Sequence, residues 1–232
     1  MPVYLMLHIG TVAFPLLWSW DRRVSYHQKW FALFPALIVT AILFLVWDAI
    51  FTSLGVWGFN HDYTVGVFML GMPIEEWLFF INMPFATLFI YECVRYYFPN
   101  AEIPRIGQSV LVFGVMLIGV GVLSFGKLYT SVTFLLTGVA VLFIAIQQPR
   151  WLAHFSIAYL FHLVPFFLVN GVLTGSLLDD PIVWYDNAEN LGIRVGTIPI
   201  EDSIYSMLLM LLNVIIYEKL LSRQQTIVKQ KG

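Results

Sequence analysis

Seven apolar runs dominate the chain, at residues 3–18, 30–52, 72–96, 107–125, 129–146, 151–174 and 197–220. A helical residue rises about 1.5 Å, so each run approaches the ~30 Å of hydrocarbon in a bilayer. Hydrophobic residues make up 59% of the 232 and charged residues only 11%. A water-soluble domain of that length has too small an interior for so much apolar surface. The expected fold class is therefore all-α, a polytopic membrane protein with about seven transmembrane helices. Pro149 ends the fifth run, because proline lacks an N–H and clashes with the preceding turn. The first run has no basic segment before it and no small-residue cleavage site after it, so it reads as a retained span rather than a signal peptide.

Basic residues orient such a bundle. With seven spans, Arg22, Arg23, Lys29, Arg95, Arg105, Arg150, Lys219, Arg223, Lys229 and Lys231 fall on one side, and only Lys127 and Arg194 on the other. That asymmetry implies an N-terminus outside and a C-terminus in the cytoplasm, as expected for a protein of the cell membrane. A net charge of −2, made of few charges of both signs, leaves no footprint for nucleic acid. The single cysteine, Cys93, excludes an intrachain disulfide framework.

The chain also repeats itself. Pro73-Ile74-Glu75-Glu76 returns 126 residues later as Pro199-Ile200-Glu201-Asp202, and Tyr91-Glu92 returns at the same spacing as Tyr217-Glu218. Upstream, the segment from Trp47-Asp48 to Ser53 is echoed by that from Val169-Asn170 to Gly175. An internal duplication follows, with residues 1–98 as the first repeat, 99–126 as a connector helix and 127–232 as the second repeat. Three spans plus a connector restore the starting side, so the repeats run parallel about an axis along the membrane normal. Both acid motifs then open helices at the non-cytoplasmic face, with Asp48 and Asn170 near the same face. The long connections there carry Trp57 and Trp184, which suit either an interfacial aromatic belt or a pair of lids over the motifs.

Acids are expensive beside hydrocarbon. One reading of Glu75, Glu76, Glu201 and Asp202 is helix capping: carboxylates in a first turn meet free N–H groups and a favourable dipole, with proline leading in. The other is chemistry, favoured by the duplication and by the apolar, aromatic sequence that follows each motif. Adjacent helix positions point about 100° apart, so one acid of each pair is expected to face the bundle while its neighbour supports it or faces water. Carboxyls converging from the two repeats cannot both ionise cheaply, and one held protonated in an apolar site is a general acid. Faces of Trp47, Phe51, Phe79 and Phe80 can screen a substrate cation. Glu92 and Glu218, about 26 Å further along their helices, read as ion pairs near the opposite face beside Arg95 and Lys219. His8, His27, His61, His154 and His162 show no metal-ligand spacing. They read as structural or hydrogen-bonding residues, although Tyr159 and His162 share a helix face that can line a pocket.

Trp47-Asp48 with Thr52, the Gly55/Trp57 loop, Pro73-Ile74-Glu75-Glu76 followed by Phe79-Phe80, and the second motif Pro199-Ile200-Glu201-Asp202 together resemble the flavin-independent lycopene cyclases. These are small membrane proteins built as heterodimers or as fused pairs of homologous domains. The resemblance covers most of the chain. It implies carotenoid biosynthesis: non-redox, proton-initiated cyclisation of the ψ-ends of lycopene to β-ionone rings, giving gamma- or beta-carotene. Lycopene would be the partner within a lipid bilayer, without cofactor or metal. No Gly-x-Gly-x-x-Gly dinucleotide fingerprint is present. The catalytic residues implied are Glu75 or Glu76 as proton donor, Glu201 or Asp202 as its partner, and Asp48 assisting. Trp47, Phe51, Trp57, Phe79, Phe80, Asn170 and Trp184 would contact substrate. The second repeat departs from the first: Asn170 stands for Asp48, and Ser203 and Ser206 stand for Trp77 and Phe80.

A proton-coupled carrier would also place carboxylates on repeated, proline-interrupted helices. Here, however, the acids lie near one face, and no basic residue lies at a span centre to meet an anionic substrate. A retinal photoreceptor needs a lysine in the middle of its last span, whereas Lys219 is at the end. A prenyltransferase needs Asp-rich helical motifs, and Asp179-Asp180 is a lone pair in a loop.

Overall fold

Seven helices form where the seven apolar runs stand. In a computed structural model describing residues 2–231, they are α1 (Val3–Leu17), α2 (Trp30–Ser53), α3 (Ile74–Tyr97), α4 (Ile106–Leu123), α5 (Leu128–Gln147), α6 (Leu152–Leu173) and α7 (Ile200–Lys231). All seven are long and apolar enough to cross a membrane, and the chain is an integral membrane protein. Large side chains cover the outside: Ile38, Ile42, Leu123, Ile146, Leu160 and Leu168 are all exposed, as residues facing lipid tails are.

The expected run ends fall close to the helix ends, with one clear difference at α7, which continues past residue 220 to Lys231. The charged turns beyond Leu220 extend it; Lys229 and Lys231 lie outside the described side chains, as Met1 and Gly232 lie outside the described residues. α5 stops at Gln148, whose left-handed backbone (φ 43°) precedes Pro149, a residue that disfavours helix in its predecessor.

α3 and α7 form the centre. α1, α2 and α6 pack on α3, α2 and α5 pack on α7, and α4 packs chiefly on α5. In lipid there is little hydrophobic drive between helices, so close approach and buried polar contacts hold them. An added Cβ at Gly138 would come within 3.1 Å of the Gly114 carbonyl, which is why α4 and α5 meet at these small residues. Between α2 and α7, Thr40 Oγ1 donates to Asn213 Oδ1 at 3.0 Å, fully buried. Between α6 and α7, the Tyr159 hydroxyl donates to the Ser203 carbonyl at 2.8 Å.

The starts of α1, α3, α5 and α7 and the ends of α2, α4 and α6 share one end of the bundle. Two long connections cover it. One carries β1 (Trp57–Phe59), β2 (Phe68–Met69) and β3 (Met72–Pro73); the other carries β4 (Val183–Tyr185), β5 (Arg194–Val195) and β6 (Ile198–Pro199). β2–β3 and β5–β6 are short antiparallel hairpins, and β1 pairs antiparallel with β4, joining the two connections. The register sets Gly58 opposite Trp184. A Cβ on Gly58 would lie 2.3 Å from the Trp184 ring, so only glycine lets that indole lie across the strand.

Opposite, at the basic end, Glu92 and Glu218 are ion-paired as the sequence suggests, with different partners. Glu92 pairs with Lys29 and, at 2.9 Å, with Arg95; Glu218 pairs with Arg95 at 3.0 Å. The partner expected in Lys219 is replaced by Lys29, because Lys219 follows Glu218 directly on α7 and points outward, exposed. Tyr91 donates to Glu218 at 2.7 Å and Tyr217 to Glu92 at 2.8 Å.

Candidate active site

Pro73 and Pro199 each stand one residue ahead of their helix, in the strand of a hairpin, rather than inside the first turn. The hairpin itself caps the helix: Ile74 N–H donates to the Val67 carbonyl at 2.9 Å, and Ile200 N–H to the Ile193 carbonyl at 3.0 Å. Both lead residues thus find an acceptor for a donor that helix geometry leaves free.

The two acids of each motif divide their work. Glu75 Oε1 accepts from the Val65 N–H at 2.7 Å, and Glu201 Oε1 from the Leu191 N–H at 2.8 Å and the Thr130 hydroxyl at 2.6 Å. Both are fully buried and tie a covering connection to its helix. Glu76 and Asp202, one position on, turn into the bundle and line a cavity of about 70 Å³. Asp48, from the end of α2, joins them there.

These three carboxyl groups differ in their partners. Asp202 is fully engaged as an acceptor: Tyr129 donates to Oδ1 at 2.5 Å, while Asn170 and Tyr185 donate to Oδ2 at 2.7 and 2.9 Å. Burial, and then the neighbouring Asp202, hold the Tyr185 phenol well above its usual range, so it remains a donor. Glu76 Oε2 accepts one hydrogen bond, from the Tyr4 hydroxyl. Asp48 Oδ1 accepts from the Trp57 indole N–H at 2.5 Å, and its Oδ2 is buried without a partner among the described residues. Asp48 and Asp202 lie within electrostatic reach of Glu76. Among the described residues no lysine or arginine lines the cavity.

Aromatic rings close around the acids. Trp57 meets Tyr129 edge-on at 5.0 Å, Tyr129 stacks on Tyr185 at 5.8 Å, and Tyr205 lies 6.2 Å from Trp57. Among the residues singled out for substrate contact, Trp57, Phe79 and Asn170 line the cavity. Trp47, Phe51 and Phe80 stand behind that wall: Trp47 packs on Tyr205, Phe51 on Trp57 and Phe80 on Phe44. Trp184 lies on the outer side of Gly58 and is 44% exposed. Of the two tryptophans, then, Trp57 belongs to the cover over the acids, whereas Trp184 faces outward.

Tyr4, Tyr129, Tyr185, Tyr205, Thr87 and Phe166 also line the cavity, and sequence reasoning passed over them. Tyr4 and Tyr129 had a readable signal: each is a lone tyrosine at the start of an apolar run, and the two lie 125 residues apart. His162, weighed as a pocket residue, does line it, with Nδ1 3.2 Å from the Thr87 hydroxyl and Nε2 unpartnered among the described residues. Its helix mate Tyr159 spends its hydroxyl on Ser203.

Buried carboxyl groups without a cation, inside a ring of aromatic faces, suit proton delivery to a hydrocarbon and shelter for the carbocation it makes. No curated protein and no solved structure matches the chain. The lycopene cyclase family does, over residues 1–94 and 126–220. With most of its length so matched, this chain belongs to the lycopene cyclase family, a family of carotenoid biosynthesis.

Proposed function

We propose that this protein is a lycopene β-cyclase of the cell membrane, acting by acid catalysis without net redox change, with its acid end outside and its C-terminus in the cytoplasm. The observation that carries the reading is the meeting of Glu76, Asp48 and Asp202 in one aromatic cavity with no lysine or arginine among the described residues that line it. It is supported by the family match.

Glu76 is the proton donor. It receives a single hydrogen bond, whereas Asp202 is filled by three donors that favour its anion. Protonation of the terminal alkene of a ψ-end leaves a tertiary cation. The neighbouring alkene attacks it, closing a six-membered ring and moving the positive charge onto a ring carbon. Asp202 and the faces of Trp57, Tyr129, Tyr185 and Tyr205 stabilise that charge. Loss of an adjacent proton, taken by Asp48 or by the Glu76 anion, forms the ring alkene of a β-ionone end. One proton enters and one leaves, so the product is an isomer of the substrate. Glu75 and Glu201 position the helices instead of touching the reacting carbons.

The two halves are proposed to be duplicated repeats joined by α4. The shared spacing of the hairpin-to-helix contacts and of the glutamate-to-loop contacts supports that origin. The direct experiment is expression in a bacterium that accumulates lycopene, with chromatography of the pigments. Cyclic carotenoid with β-ends is the expected result; lycopene left unchanged beside folded protein would refute the activity.

A further inference from the structure

The acid cavity is too small for a long polyene, and at about 70 Å³ it takes only the end of one. A second, much larger hollow of about 650 Å³ adjoins it, between α1, α3 and α6. Met83, Thr87, His162 and Phe166 line both, so the two spaces meet at a common throat. From Met83 the groove follows α3 to Tyr97, about 21 Å of helix at 1.5 Å per residue.

Its walls suit a hydrocarbon. Among the described residues they carry no aspartate, glutamate, lysine or arginine, and they are built mostly from aliphatic and aromatic side chains. α1 and α6 both pack on α3 and touch each other little. The groove is therefore open sideways, where Met6, Phe14, Phe161 and Leu168 are 49%, 56%, 53% and 70% exposed. Midway along α1, Gly10 lines the groove and an added Cβ there meets nothing within 4 Å, so a larger side chain has open space to enter.

The geometry points to this groove as the track for the unreacted length of the linear carotenoid, entered sideways from the lipid. It holds the polyene along α3 with one ψ-end through the throat at Glu76. The inference rests on the cavity being the cyclisation site. The far end of the substrate then lies toward Tyr97 and Phe98, remote from any acid of the cavity, so each visit cyclises one end. A doubly cyclised product requires release and re-entry in the opposite sense.

Filling the groove tests this. Gly10→Trp puts an indole into open space, and Leu168→Trp does so from the facing wall at an exposed position, so folding is spared in at least one. Each variant is compared with the unaltered protein on lycopene and on a shortened linear polyene that keeps one ψ-end. The expected result is a roughly tenfold or greater loss with lycopene and near-normal cyclisation of the short substrate. If both tryptophan variants turn over lycopene normally, the groove is a cleft for lipid tails and the proposal fails. It also fails if both substrates are lost together, because the effect then belongs to the cavity or the fold. If the unaltered protein cyclises neither substrate, the cyclase reading itself falls, and the groove's role with it.

Discussion

Buried or half-buried carboxyl groups sit at both ends of the same two helices, and they are treated in opposite ways. At the basic end, Glu92 and Glu218 meet Lys29 and Arg95 and take hydrogen bonds from each other's neighbouring tyrosines. At the acid end, Glu76, Asp48 and Asp202 meet tyrosines, an asparagine and an indole, with no lysine or arginine lining their cavity among the described residues. Carboxylates beside lysine and arginine lock a structure and have no use for a proton. Carboxyl groups gathered without a cation keep proton exchange open, because they cannot all ionise at little cost. Burial alone therefore does not mark the chemical end; the missing counter-charge does.

Exchanging one acid at each end breaks the comparison most sharply. Glu76→Gln keeps size and one hydrogen bond but removes the proposed proton donor. Product formation should fall by about 10²–10⁴-fold, the usual share of a general acid, with membrane insertion unchanged. An active Glu76→Gln protein would move the donor to another acid. Asp202→Asn should come next, at about 10²–10³-fold, since in the proposed mechanism it removes the fixed charge facing the developing cation. Single-turnover pigment assays on purified protein read both.

Glu92→Gln is the counterpart at the basic end. It leaves Lys29 without its carboxylate and Arg95 with only Glu218. Both cations keep about a third of their side chains exposed, at 30% and 32%, so water softens the loss. A cost of about 1–3 kcal/mol in stability is expected, seen as a lower melting temperature in detergent. Turnover per folded molecule should not change; a fall like that of Glu76→Gln would dissolve the distinction between the ends.

Most of this arrangement was legible in the sequence. Seven apolar runs announce seven helices, and the repeated Pro-Ile-Glu-acid motif marks the helix mouths that converge. What stayed hidden depends on contacts between segments distant in sequence. That Glu75 serves a loop while Glu76 serves the cavity follows from where Val65 N–H arrives, which no spacing encodes. Tyr185 reaches Asp202 because β4 pairs with β1, and strands of three residues in polar loops carry little pattern. Phe80 looked like a wall of the site because it follows the motif closely, yet its helix phase turns it toward Phe44. Lys29 pairs with Glu92 across 63 residues, and near-neighbour reasoning chose Lys219 instead.

The two ends also differ in their cover, and this gives the smallest effect. Among the described residues only the acid end is roofed by paired strands, and the pairing depends on Gly58 lying bare beneath Trp184. Gly58→Ala drives a methyl into the indole, so the ring must swing away and β1 shifts with it. Trp57 belongs to that strand and holds Asp48, so the disturbance reaches the cavity through one hydrogen bond. Because Trp184 is half-exposed and free to turn outward, the cost should lie near the low end for overpacking, about 1 kcal/mol. The corresponding loss of turnover is severalfold. Adding Trp184→Ala removes the obstacle, so the double variant should recover most of the activity that Gly58→Ala loses. If Trp184→Ala alone costs as much as Gly58→Ala and the pair is worse than either, the indole holds the roof in place by its own contacts. Clearance beneath the ring would then not be what links Gly58 to turnover.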